Sequence, residues 1–255
     1  MRVASFNVNS VKARMTNLVD WLTEARPDVV CLQELKTIEM PTEPVEDAGY
    51  NVRFVGQKTY NGVAVLAREP FEVEETRLPG EEEDEQARYL QVLVGGRLRV
   101  ATIYLPNGNP VDSEKFPYKL RWMARLRDHA ERLLALEEPL VLAGDYNVCP
   151  TDGDCYDPAA WRDDALCRPE SRAAFRRIVN LGFTDALMAI DPGPRRYTYW
   201  DYQGRAYERN NGLRIDHLLL SPQAADRLVD AGVDRAPREK ERPSDHTPVW
   251  CELDL

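Results

Sequence analysis

Pro139-Leu140-Val141-Leu142-Ala143-Gly144-Asp145-Tyr146-Asn147 is the stretch on which the reading of this chain turns. A short aliphatic run bounded by Pro and Gly reads as a strand buried on both faces, with Asp145 just past its end. The carboxylate of Asp145 and the carboxamide of Asn147, two residues apart, then point the same way. Taken alone, Gly-Asp-x-Asn is ordinary turn chemistry, and the turn is the simpler reading. What weighs against it is the company of other strand ends carrying the same kind of group.

Working outward, Arg2 to Val8 reads as a strand ending near Asn7 and Asn9, and Ser10 is placed to cap a helix running to about Glu24. Pro27 stops that helix, and Asp28-Val29-Val30-Cys31-Leu32-Gln33-Glu34 follows as a second buried strand with Glu34 at its end. A strand, helix, strand unit of this length predicts a parallel or mixed sheet. Tyr50 to Val55 pairs with Gly62 to Arg68, and Tyr89 to Val94 with Leu98 to Leu105, turning at Gly95-Gly96. A long helix spans about Ser113 to Leu136, a turn-rich loop Pro150 to Pro169, and a helix Glu170 to Leu181 stopped by Gly182. Leu213 to Leu220 is a strand with Asp216 inside it, Ser221-Pro222 opens a short helix, and Pro248 to Leu253 is the last strand, preceded by Ser244-Asp245-His246. Both halves repeat one plan, which predicts an α/β fold: a four-layered sandwich of two packed mixed β-sheets flanked by helices, in a single domain over residues 1–255.

The composition narrows the classes. The opening MRVASFNVNS lacks an apolar core long enough for a signal peptide or a membrane span, which leads to the expectation of a cytoplasmic protein with no membrane partner; a monomer is expected as well. Five cysteines (Cys31, Cys149, Cys155, Cys167, Cys251) make no CxxC pair, so reduced packing residues are expected rather than a disulfide framework or a zinc site. A net charge of -10 argues by itself against a nucleic-acid partner. The charge is unevenly spread, however: Glu81 to Glu85 reads as a solvated acidic loop, and Lys115, Lys119, Arg121, Arg125 and Arg127 read as a basic cluster.

Asn7, Glu34, Tyr104, Asp145, Asn147, Asp216, Asp245 and His246 all fall at or near strand ends. Carboxylates and carboxamides suit a hard divalent ion such as magnesium, not a soft metal. Each alone has a plainer explanation, since a lone acid at a strand end is more often a cap or a solvated turn than a ligand.

FNVNSVKAR, LQELK, GQKTYNGVAVL, IYLPNG, KFPYK, GDYNVCPTD, NGLRIDHLLLS and SDHTP succeed one another along nearly the whole chain. In this order they resemble the exonuclease III type of apurinic/apyrimidinic endonuclease, in the endonuclease/exonuclease/phosphatase superfamily. The resemblance implies a DNA-repair nuclease that depends on Mg²⁺, with Mn²⁺ as a substitute, and acts on double-stranded DNA with abasic sites or 3′ ends. Glu34 matches the principal metal ligand, with Asn7 beside it, and Asp145 and Asn147 match the pair that orients or deprotonates the attacking water, with secondary metal contacts. Tyr104 matches the tyrosine at the scissile phosphate, Asp216 the carboxylate paired with His246, and Asp245 a metal-linked acid. Tyr199, Trp200 and Leu213 fall where the family holds a baseless sugar, while Lys58, Arg88, Lys115 and Lys119 lie at or near its phosphate-holding positions. Asn211 and Tyr199 depart from exonuclease III itself, which has arginine and tryptophan there. Two rivals remain: a lipid or inositol phosphatase or non-specific deoxyribonuclease of the same superfamily, which would place histidine at position 104, and a binding module on an inactive nuclease scaffold, which would lack a catalytic member.

Overall fold

Two six-stranded sheets stack face to face in the computed structural model, which describes all residues from Met1 to Leu255. The first sheet contains β1 (Arg2–Asn7), β2 (Val29–Gln33), β3 (Asn51–Val55) and β4 (Val63–Ala67), and is completed by β11 (Leu228–Val233) and β12 (Val249–Leu253), in the order β11-β12-β1-β2-β4-β3. The second contains β5 (Phe71–Glu75), β6 (Tyr89–Val94), β7 (Leu98–Tyr104), β8 (Leu140–Asp145), β9 (Thr184–Asp185) and β10 (Asp216–Leu220), in the order β5-β6-β7-β8-β10-β9. Each sheet holds one parallel pair joined by a helical crossover: β1 and β2 through α1 (Val11–Ala25), and β7 and β8 through α3 (Lys115–Leu134). Shorter helices complete the chain: α2 (Glu43–Asp47), α4 (Pro169–Val179), α5 (Ala186–Ile190) and α6 (Pro222–Ala225). None of the helices is long and apolar enough to cross a membrane.

The period-2 alternation of strands explains the layering. In β8, Leu140 and Leu142 face outward onto Trp122, Met123 and Leu126 of α3 and Phe175 and Ile178 of α4. Val141 and Ala143 face inward, into one core with Val3, Val29, Cys31, Val92 and Val100 from both sheets. The other sheet packs its outer face, Phe6, Leu32 and Leu66 among them, on Leu18, Trp21 and Leu22 of α1. The result is the expected sandwich of helix, sheet, sheet and helix. Gly144 sits opposite Ile103 in the parallel pair, where an added Cβ would stand 1.9 Å from the Ile103 carbonyl oxygen, so no larger residue fits.

The differences from expectation are local. Ser10 makes no side-chain cap, and α1 ends at Ala25 with Arg26 in the left-handed region, before Pro27. Asp145 closes β8 rather than following it, and Asp216 begins β10 rather than lying inside it. The strands β5, β9 and β11 escaped the sequence reading: β5 and β11 are half-exposed edges and β9 has two residues, too short for a periodic pattern. The acidic run is not free in solvent, since Arg125 binds Glu81 and Asp84 and Tyr118 donates to Asp84. The basic cluster is correspondingly depleted, and Arg127 spends its charge on Asp128 and Glu131.

Candidate active site

Following the inward-facing rows toward one end of the sandwich, the core turns polar in two steps. Ser5, Gln33 and Thr102, one place beyond Val3, Cys31 and Val100, form a buried bridge between the sheets, with Ser5 Oγ donating to Gln33 Oε1 at 3.2 Å and Gln33 Nε2 to Thr102 Oγ1 at 2.9 Å. One place further stand Asn7, Tyr104 and Asp145. Register makes this layer: Tyr104 pairs with Asp145 across the parallel β7–β8 ladder, and Asp145 with Asp216 across β8–β10, so three functional side chains share one row and one face.

Glu34 follows β2 with φ at +55°, and Lys36 has +54°, a backbone strain concentrated at the site. Asn7 Nδ2 donates to Glu34 Oε1 and to Asp145 Oδ2, both at 3.0 Å, and Tyr104 Oη donates to Glu34 Oε1 at 2.9 Å. Lys36 Nζ lies 2.7 Å from Glu34 Oε2 and donates to Asn9 Oδ1 at 2.6 Å. Burial disfavours the Glu34 carboxylate, but Lys36 and then Asn7 outweigh it and hold its pKa below the usual range. Asp145 is pushed the other way, upward, by burial and by the charges of Asp216 and Glu34, against the pull of His246. Burial works against the charge of His246 as well, yet Asp216 and Asp145 raise its pKa, so the ring is an imidazolium at neutral pH. Its Nδ1 donates to Asp216 Oδ2 at 2.9 Å, leaving Nε2–H aimed into the site 3.8 Å from Asp145 Oδ2.

Ligating atoms of Glu34, Asp145 and His246 lie within 4.8 Å of one another. The carboxylate of Asp145 is buried and that of Glu34 half-buried, and a hard divalent cation would relieve their mutual repulsion; the residues therefore fit such an ion. Glu34 and Asp145 are the residues that would hold it. Asn7 presents its carboxamide nitrogen to them while its Oδ1 accepts from Asn9 N at 3.0 Å, so it brackets the carboxylates rather than joining them as a donor. Asn147 is committed on both sides, with Nδ2 donating to Leu105 O and Oδ1 accepting from Asn107. Asp245, outside the three-residue cluster, accepts from Asn9 Nδ2 at 3.0 Å.

A cavity of about 290 Å³ opens on this group, walled by Tyr104, Asn107, Asn109 and Asn147 and, on its apolar side, by Trp161, Leu166, Tyr199 and Ile215. It adjoins a cleft of about 760 Å³ lined by Arg88, Lys115, Lys36 and Tyr60. Of the expected apolar residues only Tyr199 reaches the cavity. Trp200 and Leu213 are each 1% exposed and belong to the core: Trp200 turns away from its neighbour Tyr199, and Leu213, which pairs with Tyr199, is covered within its cluster with Cys155, Leu166 and Ile215. Lys119, expected at a phosphate, is wholly buried. Arg88 lies over the Tyr104 ring, 4.8 Å from its centroid, and lines the cleft, whereas Lys58 is exposed beside it. Trp161 and Leu166 were not foreseen, since a turn-rich loop gives no period to follow; Lys36, Asn107 and Ile215 lay inside the LQELK, IYLPNG and NGLRIDHLLLS motifs and could have been taken from them.

The model of the endonuclease/exonuclease/phosphatase family matches residues 4–246. The chain belongs to that family. It is accordingly a hydrolase. Exodeoxyribonuclease III of Haemophilus influenzae is 34% identical over 266 residues, covering 99% of this chain and 100% of that one. Among solved structures of the family, an AP endonuclease from Archaeoglobus fulgidus is 37% identical with a TM-score of 0.95, and a 3′ phosphatase from Neisseria, bound to product DNA hairpin, is 39% identical with a TM-score of 0.96; each covers 100% of both chains.

Proposed function

We propose that the protein is a DNA-repair nuclease that hydrolyses the phosphodiester 5′ to an abasic site, leaving a 3′ hydroxyl, and that it also trims and cleans 3′ ends of double-stranded DNA. The observation that carries this reading is the convergence of the Tyr104 hydroxyl, the His246 imidazolium and the Asp145 carboxylate on one cavity beside Glu34. Tyr104 speaks against the superfamily's rivals that place histidine there, and the intact set speaks against an inactive scaffold. The names of the relatives, an exodeoxyribonuclease, an AP endonuclease and a 3′ phosphatase, point to the same substrate class.

Glu34 and Asp145 would hold Mg²⁺ or Mn²⁺, which would bring positive charge to the phosphate and ease ionisation of water. The chain's own residues do the rest. Asp145, its carboxylate fixed by Asn7 and by the Asn147 amide N–H at 2.9 Å, accepts the proton of the attacking water. His246, charged and held by Asp216, donates to the phosphate oxygens on which charge builds in the transition state, and Tyr104 joins it by turning its single hydroxyl proton from Glu34 to the substrate. Arg88 and Lys115 along the cleft, with Lys58 at its edge, meet the flanking phosphates. Tyr199, with Trp161, Leu166 and Ile215, provides an apolar wall for a sugar that has lost its base.

The test is a labelled duplex carrying one abasic analogue, incubated with the pure protein and Mg²⁺, and again with chelator. Cutting on the 5′ side of the lesion with Mg²⁺ alone is the expected result. Cutting that persists in chelator would overturn the Glu34 assignment, and an intact duplex would overturn the substrate.

A further inference from the structure

Lys119 occupies a place where a lysine is costly. It is 0% exposed, and burial pushes its pKa down to about 7 although Asp145 and Asp164 act to raise it. Its Nζ donates to three main-chain carbonyls, Asn147 O at 2.6 Å, Asn107 O at 3.0 Å and Ala165 O at 3.3 Å. Three N–H bonds satisfy three acceptors, so no donor is left for a phosphate. The aliphatic stem is equally committed: an added Cβ on Gly108, which has φ +92°, would meet Lys119 Cδ at 2.7 Å.

The three carbonyls come from three different loops, and each loop builds a wall of the catalytic cavity. Asn107 follows β7, Asn147 follows β8, and Ala165 lies between Asp164 and Leu166 ahead of α4. Asn147 is also left-handed at φ +48° and joined to Asn107 side chain to side chain at 3.0 Å, so the two loops meet at the residue that follows Asp145 by two. A buried lysine serving stability alone could be replaced by a methionine and a repacked turn, and burying its charge is weak evidence for stabilisation. Other bonds join these loops two at a time, Asn109 to Asp164 and Ala165 and the Cys149 amide to Leu166 O, whereas Lys119 Nζ binds all three at one point, and that gives it another use.

We propose that Lys119 is a positioning residue: by drawing the three carbonyls to one ammonium group from within α3, it holds Asn147 and the Leu166 wall in register with Asp145. The inference rests on the nuclease reading and predicts a loss in turnover rather than in DNA binding. A shift of about 1 Å in a reacting group can cost about 10²-fold in rate.

The experiment measures kcat, Kd for the abasic duplex, the salt dependence of Kd, and Tm for wild type, Lys119→Met and Lys119→Gln. Methionine keeps the volume and removes every donor, whereas glutamine keeps part of the donation. The expected result is kcat lowered by about 10- to 100-fold in Lys119→Met, less in Lys119→Gln, with Kd within about 2-fold and the salt slope unchanged. A folded Lys119→Met with wild-type kcat overturns the proposal. So does a weakened Kd with a salt slope reduced by about 1 at unchanged kcat, the signature of a phosphate contact. If Lys119→Met does not fold, Lys119→Gln decides alone on the same criteria. If neither folds, Lys119 is a stability residue and the proposal is overturned. Wild type that leaves the duplex uncut defeats the nuclease reading instead, and that control separates the two failures.

Discussion

Asp145 is defined by its neighbours rather than by its type. Its Oδ1 accepts from the Asn147 main chain at 2.9 Å and its Oδ2 from Asn7 at 3.0 Å, which orients the carboxylate but leaves it buried among Glu34 and Asp216. Asn in its place would preserve size and much of this bonding while removing the base. Asp145→Asn should therefore lose at least about 10²-fold in cleavage rate with little change in Tm. Single-turnover assays beside a melting curve would check this, and near wild-type cutting by the folded variant would sink the assignment. At this scale the sequence was informative about identity and less so about direction. Asp145, Glu34, Tyr104 and His246 were all legible as candidates, but nothing in the order of residues shows that Asn7 turns its nitrogen to the carboxylates, or that Lys119 turns inward onto carbonyls.

Elements carry consequences of their own. The turn from β1 into α1 places Ser10 at φ 83° and ψ 100°, without a capping bond from its side chain. A non-glycine residue in such a region costs about 1–3 kcal/mol, while glycine returns about 0.5–1 kcal/mol of that through the freedom of the unfolded chain. Ser10→Gly is thus expected to stabilise the protein by about 1 kcal/mol, measured by chemical denaturation; a lower midpoint would contradict the strain argument. On α3, His129 is buried with Nε2 at 3.0 Å from Gln91 Oε1 and Nδ1 unpartnered. Burial and then Arg132 push its pKa down to about 4, with Glu74 opposing. An unfolded imidazole titrates near 6.5, so between about pH 6.5 and 4 the unfolded chain binds a proton that the folded one refuses, and stability falls as pH drops through that window. Replacing the ring by His129→Leu should flatten that part of the pH dependence of the unfolding midpoint; an equal fall in variant and wild type would remove His129 as its source. The paired strands and the long helices were visible as periodic runs, whereas β5, β9 and β11 were not, because edge strands bury too little to impose a pattern.

For the whole molecule, the net charge of -10 sets a condition on any DNA partner. Binding has to run through a local basic face, and the structure leaves few free cations for it: Arg88 and Lys115 line the cleft with Lys58 beside it, whereas Arg125 is paired with acids and Lys119 is buried. With about three phosphates neutralised, log Kobs should fall against log salt with a slope of about -2 to -3, and a flat dependence would count against DNA as the substrate. The sequence by itself determined the layered α/β fold, the polar residues at strand ends and the family, because strand alternation and eight ordered motifs are properties of the chain read in line. Only the tertiary structure decided that Tyr104, Asp145 and Asp216 share one row across three strands, since register depends on which strands pair. It also decided the cavity wall of Trp161, Leu166, Tyr199 and Ile215, and the inward turn of Lys119. Those depend on how loops distant in sequence pack together, and a carbonyl's need for a donor becomes apparent only once folding has taken its water away.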